Sequence, residues 1–138
     1  MTITRFCLVR HGETDWNAAR RLQGHTDIDL NAKGLAQAKQ MASALLKIQL
    51  QFDVLYTSDL LRAARTAQAI EVLFNASAIP NAKLRERHLG ALQGLTTDEA
   101  PKLEPELWQS HVSRNLSEEL RGGESINQFR SEEHTSEL

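Results

Sequence analysis

The sequence has few of the features that mark secreted, membrane-bound or disulfide-rich proteins. Its 138 residues include a single cysteine, Cys7, so no internal disulfide can form. No apolar run approaches the roughly 20 residues of a membrane-spanning helix. The short apolar segment near the N-terminus is interrupted by Arg5, unlike a signal peptide. We therefore expect a cytoplasmic protein with no membrane partner, in which Cys7 is a buried free thiol.

Neither sign of charge dominates, and the motifs of several common activities are missing. The 16 basic and 18 acidic residues give a net charge of -2, which argues against nucleic acid as a partner. The Gly-x-x-x-x-Gly-Lys loop of many nucleotide-dependent kinases is absent. Histidine, cysteine and aspartate residues do not cluster at metal-ligand spacing, so neither a metal nor another cofactor is expected.

The chain has the length of one domain and an alternating pattern of strands and helices. With 41% hydrophobic residues, it can bury a core. In chain order, the predicted elements are a buried strand (3–9), a short helix (16–21), a helix capped by Asn31 (31–50), a strand (53–57), a helix capped by Ser58 or Asp59 that fades near 75–80, a weaker strand (82–85), two helices (97–104 and 105–114) and a last helix from about Ser125. This alternation predicts an α/β sandwich with a mainly parallel sheet.

The segment LVRHGET (8–14) joins the first predicted strand to residues suited to phosphate chemistry. Ligands of open α/β sheets bind at the carboxyl ends of the strands. There, Arg10 offers a planar guanidinium that matches phosphate oxygens, and a neutral His11 can act as a nucleophile or base. Gly12 allows the backbone to turn and a ligand to approach closely.

Two further segments place charged groups after predicted strands. In TSDLLRAARTA (57–67), Arg62 falls in the first turn of a helix, where the guanidinium and the helix N-terminus both favour an anion. In ERHLGALQG (86–94), Glu86 supplies a carboxyl group in a loop. Three strand ends thus contribute a candidate nucleophile, two arginine clamps and an acid.

Together with the longer motif RHGETDWN (10–17), these segments resemble the histidine phosphatase superfamily, also called the phosphoglycerate mutase-like family. The resemblance covers residues 3 to about 129 and implies a three-layer α/β/α sandwich. It also implies that a small phosphorylated metabolite, a phosphomonoester, transfers its phosphoryl group to His11. Water then hydrolyses the phosphohistidine, or in mutases a second acceptor hydroxyl takes the phosphoryl group.

The resemblance implies a role for each matching residue. His11 would be the nucleophile, with its other ring nitrogen donating to a backbone carbonyl, and Arg10 and Arg62 would hold the phosphoryl oxygens. Glu86 would protonate the leaving group and then deprotonate water, a role favoured by a pKa raised through partial burial or nearby negative charge. The further residues near the substrate would be Asn17, Gln23, Gly24, Arg87, His88 and Leu89.

The chain departs from the family at its C-terminus. The family's second catalytic histidine, typically in a His-Gly context after another apolar strand, has no counterpart among the remaining histidines. Residues 130–138, RSEEHTSEL, are what AGA TCG GAA GAG CAC ACG TCT GAA CTC encodes, a common sequencing adapter. We therefore interpret residues 1–129 as a histidine phosphatase domain that lacks its C-terminal part, and residues 130–138 as an adapter-derived tail. Strand 3–9 would then have an unpaired edge, so we expect a poorly stable chain with little or no activity.

Three functions stay open at this point. The QGHTD loop (23–27) and the compact spacing through 58–84 favour a phosphomonoester phosphatase. Phosphoglycerate mutase-type transfer is the alternative, because residues 86–94 resemble the mutase loop, although Leu89 stands where those mutases carry tyrosine. The third is a non-catalytic module that binds a phosphorylated ligand. The sequence leaves the natural substrate and the oligomeric state open.

Overall fold

The computed structural model describes the backbone of residues 1–135 and the side chains of residues 1–130. Within that range the elements, in chain order, are α1 (Asp15–Ala18), α2 (Ala32–Lys47), β1 (Leu55–Thr57), α3 (Leu61–Phe74), β2 (Ala78–Pro80), two 3-10 turns (Ala82–Leu84 and Gly90–Leu92), α4 (Ala100–Leu103), α5 (Pro105–Ser113) and α6 (Ile126–Thr135). Most of the predicted adapter-derived tail, 130–138, therefore lies outside the residues whose side chains are described.

The strands β1 and β2 form a parallel pair, and α3 is the crossover between them. Leu55 pairs with Ala78 and Thr57 with Pro80. A parallel pair needs such a connection, because the chain must return to the same end of the sheet. Helix α2 packs against α3, with the small residues Ala38 and Ala42 buried. This arrangement agrees with the predicted α/β class.

Residues 3–9 do not form the buried strand that their apolar side chains predict. Phe6 and Leu8 are 68% and 92% exposed, and Cys7 is exposed as well, so the prediction of a buried thiol is also wrong. A strand must exchange backbone hydrogen bonds with a neighbour. In the part of the chain that the structure describes, residues 1–10 make none. Without a partner strand, β-propensity alone does not order this segment.

The third predicted strand, 82–85, is also wrong. Residues Ala82–Leu84 form a 3-10 turn, and the strand β2 lies just before them. Asn81 marks the end of the strand β2. Its amide donates to the carbonyl of Thr57 at 2.8 Å, and its side chain accepts from the amide of Lys83 at 2.9 Å. The side chain thereby turns the backbone out of the sheet.

The two long helices are capped by residues at different distances along the sequence. Asn31 caps α2 as predicted, because its side chain accepts from the amide of Gly34 at 2.8 Å. The predicted cap of α3 by Ser58 or Asp59 is wrong, since the N-cap is Leu60. Instead, Asp27 accepts from the amide of Leu61 at 2.7 Å, which ties a distant loop to the first turn of α3.

A cluster of buried apolar residues lies in and beneath the loop that carries Glu86. It consists of Leu89, Leu92, Ala100 and Leu120, with Trp108 packed against it. The predicted helix over 105–114 is confirmed, whereas the one over 97–104 shortens to Ala100–Leu103. The last helix begins next to Ser125, as predicted, and the Ser125 hydroxyl accepts from the amide of Gln128 at 3.1 Å. Across the residues that the structure describes, the helices are too short or too polar to cross a membrane.

Candidate active site

His11 lies at a turn that is anchored on helix α3. The amide of Gly12 donates to the Thr66 hydroxyl at 3.0 Å, and that hydroxyl donates to the carbonyl of Arg62 at 2.7 Å. The turn also lies close to α2, where a Cβ on Gly34 would overlap the backbone of Glu13. Helices α2 and α3 therefore fix the backbone that carries the His11 imidazole.

A hydrogen bond sets the tautomer of the neutral His11 imidazole, and the surroundings of the ring favour its neutral form. Its Nδ1 lies 2.7 Å from the carbonyl oxygen of Gly12 and must donate to it, which leaves the lone pair on Nε2. Burial lowers the pKa of His11 below its ordinary 6.5, and the charges of Arg62 and Arg10 lower it further. The hydrogen bond to Gly12 and the carboxylate of Glu86 act on this pKa in the opposite direction.

Arg62 is buried in the first turn of α3 and is held by backbone carbonyls. Its two terminal nitrogens donate to Thr26 at 3.0 Å and to Gly24 at 2.7 Å. Burial lowers the pKa of this guanidinium, while Glu86 and Asp27 raise it. Because a guanidinium is a very weak acid, Arg62 remains a cation and can hold an anion beside His11.

Arg10 and Glu86 complete the set of four residues that sequence motifs predict. Arg10 is exposed, yet its charge acts on His11. Glu86 is exposed too, so the partial burial expected of it is not found. Its carboxylate accepts from the amide of Arg87 at 2.9 Å and acts on both His11 and Arg62. The charges of Arg10, Arg62 and Glu86 therefore all act on His11, and Glu86 also acts on Arg62.

Asn17 and Gln23 are brought together by the fully buried Thr14. The Thr14 hydroxyl lies 2.9 Å from Asn17 Oδ1 and 2.6 Å from Gln23 Oε1. The amide of Thr14 donates to Asn17 Oδ1 at 2.6 Å, which caps α1. Because both side-chain oxygens face Thr14, the NH2 groups of Asn17 and Gln23 are the groups left to donate to a ligand.

Gly24, the next predicted residue, acts through its backbone. Its φ of +54° is in the left-handed region, and a Cβ there would overlap the side chain of Gln93. The carbonyl of Gly24 thereby reaches Arg62. Gln93 Oε1 also accepts from the amides of His25 and Leu89, at 2.8 and 3.2 Å, so it links the Gly24 loop to the Glu86 loop.

The three residues after Glu86 face different surroundings. Arg87 is 6% exposed, and its Nε donates to the carbonyl of Glu124 at 2.8 Å. His88 packs against His25, with ring centroids 4.6 Å apart. The side chain of Leu89 lies in the core, so only its backbone is placed toward the neighbouring loop.

Sequence reasoning missed several residues that hold this site together. Gly34 carried a usable signal, because a glycine in the first turn of a helix indicates a close backbone approach. Thr66 is a polar residue on the buried stripe of α3, a weaker signal of the same kind. Gln93 and Glu124 carried none, since their contacts join segments that are far apart in sequence.

The site is built from arginine, histidine and glutamate without a metal-binding arrangement in the described residues. No group of three or more histidine, cysteine, aspartate or glutamate side chains lies there in positions that could hold a metal ion. The cations that act on His11 are guanidinium groups. This chemistry suits an anionic ligand whose charge is spread over several oxygens.

Comparison with known proteins finds relatives with phosphatase and mutase names. The chain is 44% identical over 117 residues to phosphoglycerate mutase-like protein 4 of Arabidopsis thaliana, covering 84% of this chain and 50% of that protein. It is 44% identical over 129 residues to a metal-independent phosphoserine phosphatase of the same plant, covering 92% and 54%. The chain thus spans about half the length of these curated relatives.

Proteins of known structure are also similar to this chain in sequence and in fold. The protein TTHB049 from Thermus thermophilus is 37% identical with a TM-score of 0.73, over 90% of this chain and 65% of that one. A mycobacterial glucosyl-3-phosphoglycerate phosphatase solved with VO3 is 31% identical with a TM-score of 0.74, over 88% and 59%. The family model of the histidine phosphatase superfamily (branch 1) matches residues 6–133. The chain belongs to the histidine phosphatase superfamily.

Proposed function

We propose that the protein to which this chain belongs is a phosphomonoester phosphatase that works through a phosphohistidine on His11. The observation that carries the proposal is the hydrogen bond from His11 Nδ1 to Gly12. It places the nucleophilic lone pair of the neutral ring on Nε2, while burial and the charges of Arg62 and Arg10 favour the neutral form. The substrate is a small phosphorylated metabolite.

In the first step, Nε2 of His11 attacks phosphorus and the bond from phosphorus to the alcohol oxygen breaks. Arg62, fixed by two carbonyls, and Arg10 hold the non-bridging oxygens, over which charge spreads in the transition state. The alkoxide would be a poor leaving group without a proton, and Glu86 donates one. The products are the free alcohol and phosphorylated His11.

In the second step, water attacks phosphorus and the bond to Nε2 breaks. Glu86, now a carboxylate, takes a proton from the water, which restores both residues and releases inorganic phosphate. Exposure of Glu86 is compatible with this exchange, because the group meets solvent in the open site. The charge of Arg62, which is 3% exposed, is kept in place throughout by Gly24 and Thr26.

Trapping the phosphoenzyme tests this proposal. The 138-residue chain, in excess over a 32P-labelled phosphomonoester, is quenched in base, and the acid-labile label on protein is counted. Because the protein is in excess, a single transfer is detected even where steady-state turnover is low, as expected for this chain. We expect label on the unchanged chain and on Lys39→Ala, an exposed position on α2, and none on His11→Ala. Equal label on His11→Ala would show that another residue takes the phosphoryl group.

Mutase-type transfer is the second candidate, favoured by one specific relative. The chain is 44% identical over 102 residues to a 2,3-bisphosphoglycerate-dependent phosphoglycerate mutase of Hamiltonella defensa, covering 72% of this chain and 41% of that protein. Dependence of turnover on a bisphosphoglycerate, with the phosphoryl group moved between glycerate hydroxyls, would support this candidate. Release of free phosphate without that requirement supports the phosphatase.

A further inference from the structure

Glu124 contacts the Glu86 loop through its backbone and its side chain. Its carboxylate Oε2 accepts from the amide of His88 at 2.7 Å. Its own amide donates to the carbonyl of His88 at 2.9 Å, and its carbonyl accepts from Arg87 Nε at 2.8 Å. One residue therefore makes three hydrogen bonds to the two residues that follow Glu86.

The segment before Glu124 is shaped for this contact. A Cβ on Gly123 would come within 2.5 Å of both the carbonyl oxygen of His88 and the amide nitrogen of Gly90. Only glycine allows the two backbones to approach this closely. The loop of Glu86 and the segment 123–124 thus lie backbone against backbone.

The carboxylate of Glu124 also lies close to His25, in the loop whose backbone carbonyls hold Arg62. Its Oε2 lies 4.0 Å from Nε2 of His25, whose ring packs against that of His88. The neighbours of His25 in sequence, Gly24 and Thr26, supply the carbonyls that hold Arg62. Glu124 is therefore placed between the element that binds phosphate and the element that carries the acid.

The side chain of Glu86 depends on this support for its orientation. Glu86 is exposed, and its carboxylate accepts from the amide of Arg87, the residue next to it. Its position therefore follows the backbone of residues 86–88. That backbone is fixed by Glu124 on one side and by Gln93, through Leu89, on the other.

We propose that Glu124 is a positioning residue, which fixes the Glu86 loop against the His25 loop so that Glu86 is held where it can protonate the leaving group. The proposal rests on the function proposed above. Its distinctive element is the charge-assisted hydrogen bond from the amide of His88 to the Glu124 carboxylate, because the other two hydrogen bonds use the Glu124 backbone.

Three variants of the 138-residue chain separate this bond from the rest of the contact. Glu124→Ala removes the acceptor but keeps both backbone hydrogen bonds. Glu124→Gln keeps an oxygen acceptor in nearly the same place without the charge. Glu118→Ala is the matched control, since Glu118 is an exposed carboxylate in the same connection and its contacts are with Asn115.

The first measurement is hydrogen exchange of individual amides, which needs no activity. In Glu124→Ala we expect the amide of His88 to exchange at least ~10-fold faster, while amides in α2 and α3 stay unchanged. In Glu124→Gln the increase should be less than ~3-fold, and in Glu118→Ala there should be none. Unchanged exchange at His88 in Glu124→Ala, or faster exchange throughout the chain, overturns the proposal.

The second measurement is single-turnover phosphoryl transfer to the chain from two substrates. O-phosphoserine has a poor leaving group that needs a proton, whereas p-nitrophenyl phosphate has a good one that does not. We expect Glu124→Ala, like Glu86→Gln, to slow transfer from O-phosphoserine ~10-fold or more, which lies within the ~100-fold or greater effect that a general acid can have. Transfer from p-nitrophenyl phosphate should slow less than ~3-fold, because its leaving group needs no proton. Glu124→Gln should be intermediate. Equal loss with both substrates contradicts a positioning role. If His11→Ala still accepts the label, the proposed function fails, whereas the exchange result still decides whether Glu124 fixes the loop.

Discussion

The backbone amide of Gly12 donates to the side chain of Thr66, across 54 residues of sequence, at 3.0 Å. The same hydroxyl donates its proton to the carbonyl of Arg62. One threonine thus couples the turn that carries His11 to the first turn of α3, which carries Arg62. This coupling is buried, since Thr66 is 5% exposed.

Replacement of Thr66 by valine should therefore destabilise the chain more than its change of volume suggests. Valine has nearly the same shape but leaves the amide of Gly12 buried without an acceptor, which costs about 1–3 kcal/mol. Thr66→Ser keeps the hydroxyl and should cost less. Urea unfolding followed by circular dichroism measures both values, and a Val variant no less stable than the Ser variant would refute the role assigned to this bond.

Replacement of Gly34 by alanine should disrupt the contact between helix α2 and the turn that carries His11. A Cβ at this position would overlap the carbonyl of Glu13, and neither backbone can yield without moving α2 or the His11 turn. The matched change is Gly122→Ala, where no atom lies within 4 Å of the new Cβ and only the φ of +74° opposes it. We expect Gly122→Ala to lower the free energy of unfolding by about 1 kcal/mol, the cost of a left-handed backbone at a residue with a Cβ, and Gly34→Ala to lower it clearly more. Equal losses would mean that the approach of Gly34 to Glu13 is not tight.

The stability of the chain should fall as the pH drops below about 6.5 because of two histidines. Burial lowers the pKa of His11, and of His111 in the last turn of α5, in the folded state, with arginine charges adding to the effect. As the pH falls through the ordinary value of 6.5, the unfolded chain takes up protons that the folded chain does not, so the free energy of unfolding decreases. The decrease continues until the pH reaches the lowered folded pKa values.

Unfolding by urea at pH values between about 5 and 7.5 measures this slope. His11→Asn and His111→Asn should each reduce it, and the double variant should reduce it further. Lys39→Gln is the control, because it changes an exposed residue on α2 and leaves both histidines in place, so its slope should match that of the unchanged chain. A slope that neither histidine variant alters would assign the pH dependence to other groups.

The contrast between α2 and α3 shows what the sequence could predict. The N-cap of α2 is local, because Asn31 reaches an amide three residues ahead, and the sequence predicted it. The first turn of α3 is completed by Asp27, 34 residues away, and no local pattern indicates that. The motif residues Arg10, His11, Arg62 and Glu86 were predicted together because they match a family, whereas Thr66, Gln93 and Glu124 act through tertiary contacts that one sequence does not reveal.

In the segment 3–9, by contrast, the sequence predicts a strand that does not form. Its residues favour a strand, yet a strand forms only with a partner, and the described part of the chain supplies none to this segment. The result is a row of apolar side chains in solvent, on a backbone without a neighbouring strand.

That exposed segment should make the chain associate with itself. Unpaired extended backbone with apolar side chains is a template for pairing with another copy, and a charge placed within it opposes pairing. We expect Phe6→Lys and Leu8→Lys to lower the apparent mass at high concentration in light scattering and to slow precipitation. Val72→Lys is the matched control, since Val72 is an exposed apolar residue, 76% accessible, on helix α3, where the backbone is already hydrogen-bonded. If Val72→Lys improves solubility as much as Leu8→Lys, then net charge rather than pairing of residues 3–9 governs association. If only the variants within 3–9 respond, the strand that the sequence predicts exists in the assembled form, where a second copy supplies the missing neighbour.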